Sequence, residues 1–313
     1  MNGMTKRLKT ALATRGHTEA LTNGTVRPRT FEFDFEEVPV IIKAFRRMVR
    51  SQDFDICELA MTTYLCSRAF GKPFTAIPVF PMRAFHHGAI MYNMKSGIST
   101  PKDLEGKKVG VNRGYTVTTG LWVRSILQHE HGVDLSKITW MLSGDEHVAE
   151  YRPPANVVPI EPGTTLEKLL EAGEIAAAIG VQVDAPGVKP LIPNAKDAGF
   201  DALRQRGLYP INHTVVVRND VLEANPDLAA DLFEAFAEAK RRYLDRLTSG
   251  GIDTPDPVHA RVMEITGDPV PYGIEPNRQM LESIVQYSVE QGILSRPFGI
   301  EELFAPGTRD LTA

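Results

Sequence analysis

The feature that most constrains this chain is the alternation of short apolar or β-branched runs with amphipathic helical stretches. Strands separated by helices cannot close as hairpins, so they are expected to pair largely in parallel. Residues 8–13 read as a first strand. Phe31, Phe33 and Phe35 alternate with Glu32 and Asp34, the period of a half-buried strand. Residues 39–51 form an amphipathic helix with Ile42, Phe45, Met48 and Val49 inward, followed by a strand over 55–59 and a helix over 62–70 capped by Thr62 or Thr63. Strands over 74–80 and 85–92 follow, interrupted by Pro81. A strand over 108–111, a helix over 115–131 and further strands and helices continue to the β-branched run at 212–218. A strong helix spans 225–247, the region 250–276 reads as loop-rich, and a last helix spans 282–291 with Gly292 as its stop.

At 313 residues the chain exceeds what one hydrophobic core organises, which is about 250–300 residues. The prolines near position 81 and the β-branched run at 212–218 suggest two crossings between lobes. The expectation is a discontinuous first lobe, 1–83 with 208–313, and an inserted second lobe, 84–207, with a ligand cleft between them.

Lys and Arg total 35 against 39 Asp and Glu, so the formal charge is −4. That balance offers no basic field for nucleic acid, and no stretch suits a membrane surface or span. No signal-peptide pattern follows Lys6 and Arg7, so a cytoplasmic location is expected. Cys57 and Cys66 match no zinc spacing and read as buried thiols.

Three clusters follow strand ends, where open α/β sheets bind ligands. In the first, Arg113 sits in a glycine turn before a helix rich in hydroxyls at Thr116, Thr118 and Thr119. Free amides there bind anions, and Arg113 can grip a carboxylate. The rival reading is simple helix capping. The second is Arg83 with His86 and His87. On one strand the two histidines face opposite ways, so at most one enters the cleft. The third is Arg15 and His17 after the first strand, together with Glu58 and with His213 beside Asn212. Structural histidines and a dipole-complementing carboxylate are the alternatives. Asp145, Glu146 and His147 could hold a metal, although three adjacent residues rarely converge on one ion. His129 and His131 fall where they complement a helix dipole.

Several segments together resemble the 4,5-dihydroxyphthalate decarboxylase family. They are Phe45-Arg46-Arg47-Met48 running to Phe54-Asp55-Ile56-Cys57-Glu58-Leu59; Ala76-Ile77-Pro78-Val79-Phe80-Pro81-Met82-Arg83-Ala84-Phe85-His86-His87; Leu104-Glu105-Gly106-Lys107-Lys108-Val109-Gly110-Val111; and Pro271-Tyr272-Gly273-Ile274-Glu275-Pro276-Asn277-Arg278. The resemblance implies an α/β, two-lobed fold like the type II periplasmic binding proteins, with mixed, largely parallel sheets. It implies non-oxidative decarboxylation of a dihydroxylated aromatic acid, 4,5-dihydroxyphthalate to protocatechuate and CO₂. In that setting Arg113 with Thr116, Thr118 and Thr119 holds the retained carboxylate, assisted by Arg83 or Arg15. His17, His86, His87 and His213 supply acid and base, and Glu58 orients one of them. No organic cofactor is expected, a divalent metal stays open, the partner is a small aromatic carboxylate, and a homo-oligomer stays open. The alternative is a non-catalytic binding protein of the ABC-transporter type. A thiamine-precursor enzyme of related fold is a third reading, with no histidine- or cysteine-rich motif behind it.

Overall fold

In the computed structural model, which describes residues 6–252 and 256–313, the alternation resolves into two sheets. The chain divides into unit 1, Met1–Arg83 with Ile211–Glu282 and Phe298–Ala313, and unit 2, Ala84–Pro210 with Ser283–Pro297.

Unit 1 holds a five-stranded sheet in the order β2 (Phe31–Phe35), β1 (Lys6–Ala11), β3 (Ile56–Ala60), β11 (Ile211–Arg218) and β4 (Phe74–Arg83). β1 runs parallel to β2 and β3, whereas β11 runs antiparallel to β3 and β4. Its helices are α1 (Glu19–Thr22), α2 (Ile42–Ser51), α3 (Met61–Ala69), α7 (Asn219–Ala224), α8 (Leu228–Thr248) and α9 (Pro257–Thr266). Leu8, Phe31, Ile56, Ile77 and Val215 of the sheet pack with Leu232, Phe233 and Phe236 of α8 in one core. Apolar burial of this kind supplies roughly 25 cal/mol per Å² removed from water.

Unit 2 holds a six-stranded sheet ordered β10 (Val188–Pro190), β5 (Ile90–Asn93), β9 (Ala177–Ile179), β6 (Lys108–Val111), β7 (Thr139–Leu142) and β8 (Val157–Pro159). β9, β6, β7 and β8 are parallel, and β5 is antiparallel to both its neighbours. The helices are α4 (Thr118–His131), α5 (Leu166–Ala172) and α6 (Ala195–Arg206). Leu166 and Leu170 of α5 cover Ile175 and Ala178. The sheets are therefore mixed, as the family resemblance implies, with more antiparallel pairing than the alternation alone suggests.

Several expectations change. β4 continues through Pro78 and Pro81 to Arg83, where a break was expected. It is the last strand of its sheet, and an edge strand tolerates a missing N–H. The expected strand over 85–92 is shortened to β5, so His86 and His87 lie in a loop and a tight turn and do not alternate across a strand. α3 begins after Ala60, which offers no side-chain cap, so Thr62 and Thr63 lie inside the helix. The 250–276 region contains α9, opened by Asp256, whose carboxylate accepts the amides of Val258 and His259. The last helix, α10 (Arg278–Glu290), starts in unit 1. Residues 283–297 belong with unit 2, not with the first lobe as expected. There Gln291 accepts from the Arg124 guanidinium at 2.7 Å, and Glu290 meets His129 at 2.8 Å. No helix among the described residues is long and apolar enough to cross a membrane.

Candidate active site

Glu58 lies on β3, every residue of which is buried, and its own exposure is 0%. A bare carboxylate there would be prohibitively costly, and its partners show how the cost is met. Oε1 accepts from Arg15 Nη2 at 2.6 Å and His213 Nδ1 at 2.6 Å. Oε2 accepts from Arg15 Nη1 at 2.9 Å and the Ala13 amide at 3.0 Å. Burial pushes the Glu58 pKa up, but the His213 hydrogen bond and the Arg15 guanidinium outweigh it and hold the pKa at about 2. Glu58 is thus ionised, and His213 carries its Nδ1 proton toward it. The His213 ring stands edge-on to Phe45 of α2, 5.0 Å between centroids.

Arg15 also forms part of the wall of an open basin of about 750 Å³, entirely within unit 1. That is a volume suited to a small ligand. The wall includes His17, Arg83, Tyr243, Arg246 and His259. Arg246 is paired with Glu19 at 2.9 Å. Arg83 donates to Asn277 Oδ1 and lies 3.5 Å from the Pro271 carbonyl, both neutral acceptors. His17 is 1% exposed. Its Nε2 lies 3.0 Å from the Pro81 carbonyl, which can only accept, so Nε2 bears the proton. Nδ1 is left as a buried lone pair with no hydrogen-bond partner. Burial, then the neighbouring His259 and Arg15 charges, lower the His17 pKa to about 3, so the ring is neutral.

The histidines of unit 2 have a different setting. His87 Nε2 meets Glu130 Oε2 at 3.0 Å, and Glu130 also pairs with Arg206 at 2.6 Å. The cavity beside them is about 30 Å³, room for about one water and not for an aromatic acid. His86 is buried too, at 3% exposure. Neither lines the basin.

The glycine turn of unit 2 departs most from expectation. Thr116 is not open to a ligand anion, because Glu146 already fills the turn. Its Oε1 accepts the Tyr115 amide, and its Oε2 takes the Thr116 amide at 3.1 Å and the Thr116 hydroxyl at 2.6 Å. A Cβ on Gly114 would stand 2.6 Å from Glu146 Oε2. α4 begins at Thr118 behind Val117, with no side-chain cap. Thr118 is buried and Thr119 half-buried. Arg113 itself sits at φ 72°, pinned by its amide on Ser143 Oγ at 2.8 Å. Its guanidinium has no partner among the described residues, and burial alone lowers its pKa.

Arg15, His17, Glu58, Arg83 and His213 are therefore gathered in unit 1, whereas His86, His87, Arg113 and the threonines belong to unit 2. His213 and Glu58 stand behind the basin, linked to it through Arg15. Sequence reasoning missed Tyr243 and His259. The Asp256-Pro257 pair, a capping residue followed by a proline at the first helical position, was the available signal for α9. Among the described residues, no group of three or more His, Cys, Asp or Glu is arranged to hold a metal ion. The Asp145–His147 trio forms no such site.

The fold defines the class first. The chain superposes on the periplasmic aliphatic sulphonate binding protein SsuA of Escherichia coli with a TM-score of 0.54 at 14% identity, covering 97% of this chain and 99% of that one. The desulfurization enzyme DszB gives a TM-score of 0.53 at 14% identity, covering 96% of each. This is the type II periplasmic-binding-protein-like fold. A family model described as NMT1/THI5 like matches residues 43–245. A 4,5-dihydroxyphthalate decarboxylase of Comamonas testosteroni is 32% identical over 284 residues, 84% of this chain and 86% of that one. A second, from Pseudomonas putida, is 40% identical over 144 residues, 44% of this chain and 55% of that one. The chain belongs to the 4,5-dihydroxyphthalate decarboxylase family.

Proposed function

We propose that this protein is a carboxy-lyase that decarboxylates a dihydroxylated aromatic acid without an oxidant, with 4,5-dihydroxyphthalate as substrate and protocatechuate and CO₂ as products. The named relatives support the reaction class. The observation in the molecule that carries the reading is the His17 Nδ1 lone pair, buried and unbonded in the wall of a basin that also presents Arg83. A buried polar atom without a partner calls for an explanation, and a bound substrate hydroxyl supplies one.

Direct loss of CO₂ from an aromatic ring would leave an aryl carbanion. Protonating the carboxylate-bearing carbon first avoids it, provided the hydroxyl para to that carbon releases its proton and feeds electrons into the ring. His17 Nδ1 accepts that proton. Carbon dioxide then leaves as the ring regains aromaticity. A guanidinium holds the carboxylate that stays, a role suited to Arg83 of the basin wall or, as the alternative, to Arg113. Glu58 holds Arg15 and His213 in position and keeps the charge of Arg15 neutralised, so we assign it to positioning, not to proton transfer.

The test is to incubate the purified protein with 4,5-dihydroxyphthalate and follow CO₂ release and protocatechuate formation. Equal amounts of both products are expected. Saturable binding by calorimetry with no turnover would replace this reading with that of a binding protein.

A further inference from the structure

Decarboxylation through a protonated ring carbon needs a proton donor as well as a base, and the cavity of about 30 Å³ beside His87 is too small for an aromatic acid. Three rings in unit 1 supply it. The His17 centroid is 5.6 Å from that of His259 and 5.9 Å from that of Tyr243, and Tyr243 and His259 are 5.7 Å apart. Tyr243 OH lies 2.8 Å from His259 Nδ1. Gly16 makes this approach feasible, since a Cβ there would stand 2.4 Å from the Tyr243 ring. α9 carries His259 on its first turn, with the His259 amide bonded to Asp256.

The two imidazoles are held in complementary states. The Pro81 carbonyl fixes the proton of His17 on Nε2 and leaves Nδ1 bare. The Tyr243 hydroxyl occupies Nδ1 of His259, accepting from it when the ring is charged, and it can serve either tautomer of the neutral ring. In the charged ring His259 Nε2 carries a hydrogen, and it has no hydrogen-bond partner among the described residues. From this geometry we infer that His259 is the catalytic proton donor to the ring carbon, with Tyr243 as its positioning residue. The inference rests on the decarboxylase reading and assigns the half of the chemistry which that reading leaves open.

Each step balances. His17 Nδ1 takes the hydroxyl proton, and the O–H electron pair moves into the ring to form a C=O bond. The ring carbon takes the Nε2 proton of the His259 imidazolium, which becomes neutral with its remaining hydrogen on Nδ1 toward Tyr243. The bond to the carboxylate then breaks. Its electron pair restores the aromatic ring and returns charge to the oxygen, which recovers its proton from His17. One proton is consumed overall and is replaced on His259 from water.

The charges around the two rings differ. The His259 pKa lies below its ordinary value: burial lowers it most, Arg15 adds to that, and Asp256 and Asp268 oppose it without outweighing it. His17 experiences burial together with His259 and Arg15, so it is the harder of the two to charge. A dianionic substrate favours the cation of His259 further. The groups facing His259 are Tyr243, His17, Arg15, Asp256 and Asp268, with Arg246 also on the basin wall.

The sign of the pH dependence follows. The donor must be protonated, so kcat/KM falls as pH rises through the His259 pKa. With 4,5-dihydroxyphthalate as substrate, His259→Gln is expected to lower kcat by roughly 10²–10⁴-fold, to leave KM within about threefold, and to abolish the alkaline limb. Tyr243→Phe keeps the ring packing and is expected to lower kcat about tenfold. It moves the limb to lower pH, because the charged donor loses its stronger hydrogen bond. A wild-type protein that turns over while His259→Gln keeps both its rate and its alkaline limb overturns this inference alone. A Tyr243→Phe protein whose pH profile coincides with wild type removes Tyr243 from its role. A wild-type protein without turnover overturns the decarboxylase reading and this inference with it.

Discussion

Two turns in this molecule have nearly the same local sequence and opposite electrostatic settings. In unit 1, β1 leads to Arg15-Gly16-His17; in unit 2, β6 leads to Arg113-Gly114-Tyr115. Both glycines are dictated by close approach, to the Tyr243 ring in one case and to the Glu146 carboxylate in the other. Arg15 is neutralised by a buried carboxylate, and what its turn leaves unsatisfied is the lone pair of His17. In the second turn the backbone amides are satisfied from within by Glu146, and the unsatisfied group is the Arg113 guanidinium. The comparison teaches that an anion-binding turn is defined by what already sits in it. One turn offers an acceptor and the other a cation.

The strongest way to break the comparison is to remove the carboxylate that neutralises the first turn. Glu58→Ala leaves Arg15 and His213 without their shared counter-ion in a buried site. The expected loss of unfolding free energy is about 3–5 kcal/mol, measured by chemical denaturation, with Glu58→Gln losing less. The folded-state pKa of Glu58 is depressed from 4.5 to about 2. Its contribution is therefore present above about pH 4.5 and is lost as pH falls from there toward 2. The Glu58→Gln protein should lack that segment of the acid profile. A profile identical to wild type would remove the Arg15–Glu58–His213 cluster from the forces that hold unit 1 together.

A smaller effect tests the second turn. Arg113→Ala removes the one cation of the turn and is expected to lower kcat/KM for 4,5-dihydroxyphthalate about 100-fold, equivalent to about 2.7 kcal/mol. Stability should change little, because the guanidinium has no partner among the described residues to lose. An unchanged kcat/KM takes Arg113 out of substrate recognition and leaves the cationic role to Arg83.

The elements of both units were legible where the pattern was local. The strands at β1, β6 and β11, the helices α2, α4 and α8, and Arg15, His17 and Glu58 as a group at strand ends all follow from periodicity and position. What escaped depends on distant residues. Glu146 reaches the Thr116 turn from 30 positions away, and nothing in either segment alone announces the pairing. His87 looked like a site residue beside Arg83, but its partner Glu130 lies 43 positions along the chain. His259 was hidden because the glycines and prolines around α9 read as loop, although Asp256-Pro257 marks a helix start. Residues 283–297 were assigned to the wrong unit for the same reason. Their helical period says nothing about whether they pack on α4.

Glu146 gives the smallest expected effect and the sharpest view of the contrast. Its carboxylate serves two amides and one hydroxyl, so Glu146→Ala leaves these donors without their acceptor. A loss of about 1–3 kcal/mol is expected, at the scale of buried donors deprived of a partner. The vacated turn then has what an anion requires: amides facing one point at the start of a 14-residue helix, and Arg113 close in sequence. Inorganic phosphate or sulfate should therefore raise the Tm of Glu146→Ala with a saturating dependence on concentration, as a ligand specific to the folded state does. Wild type should show only the weak, non-saturating stabilisation that such salts give any protein. Glu146→Gln, which keeps an acceptor oxygen, should fall between them. If phosphate stabilises wild type and Glu146→Ala equally, the carboxylate is not the occupant of the turn, and the distinction between the two Arg-Gly turns fails.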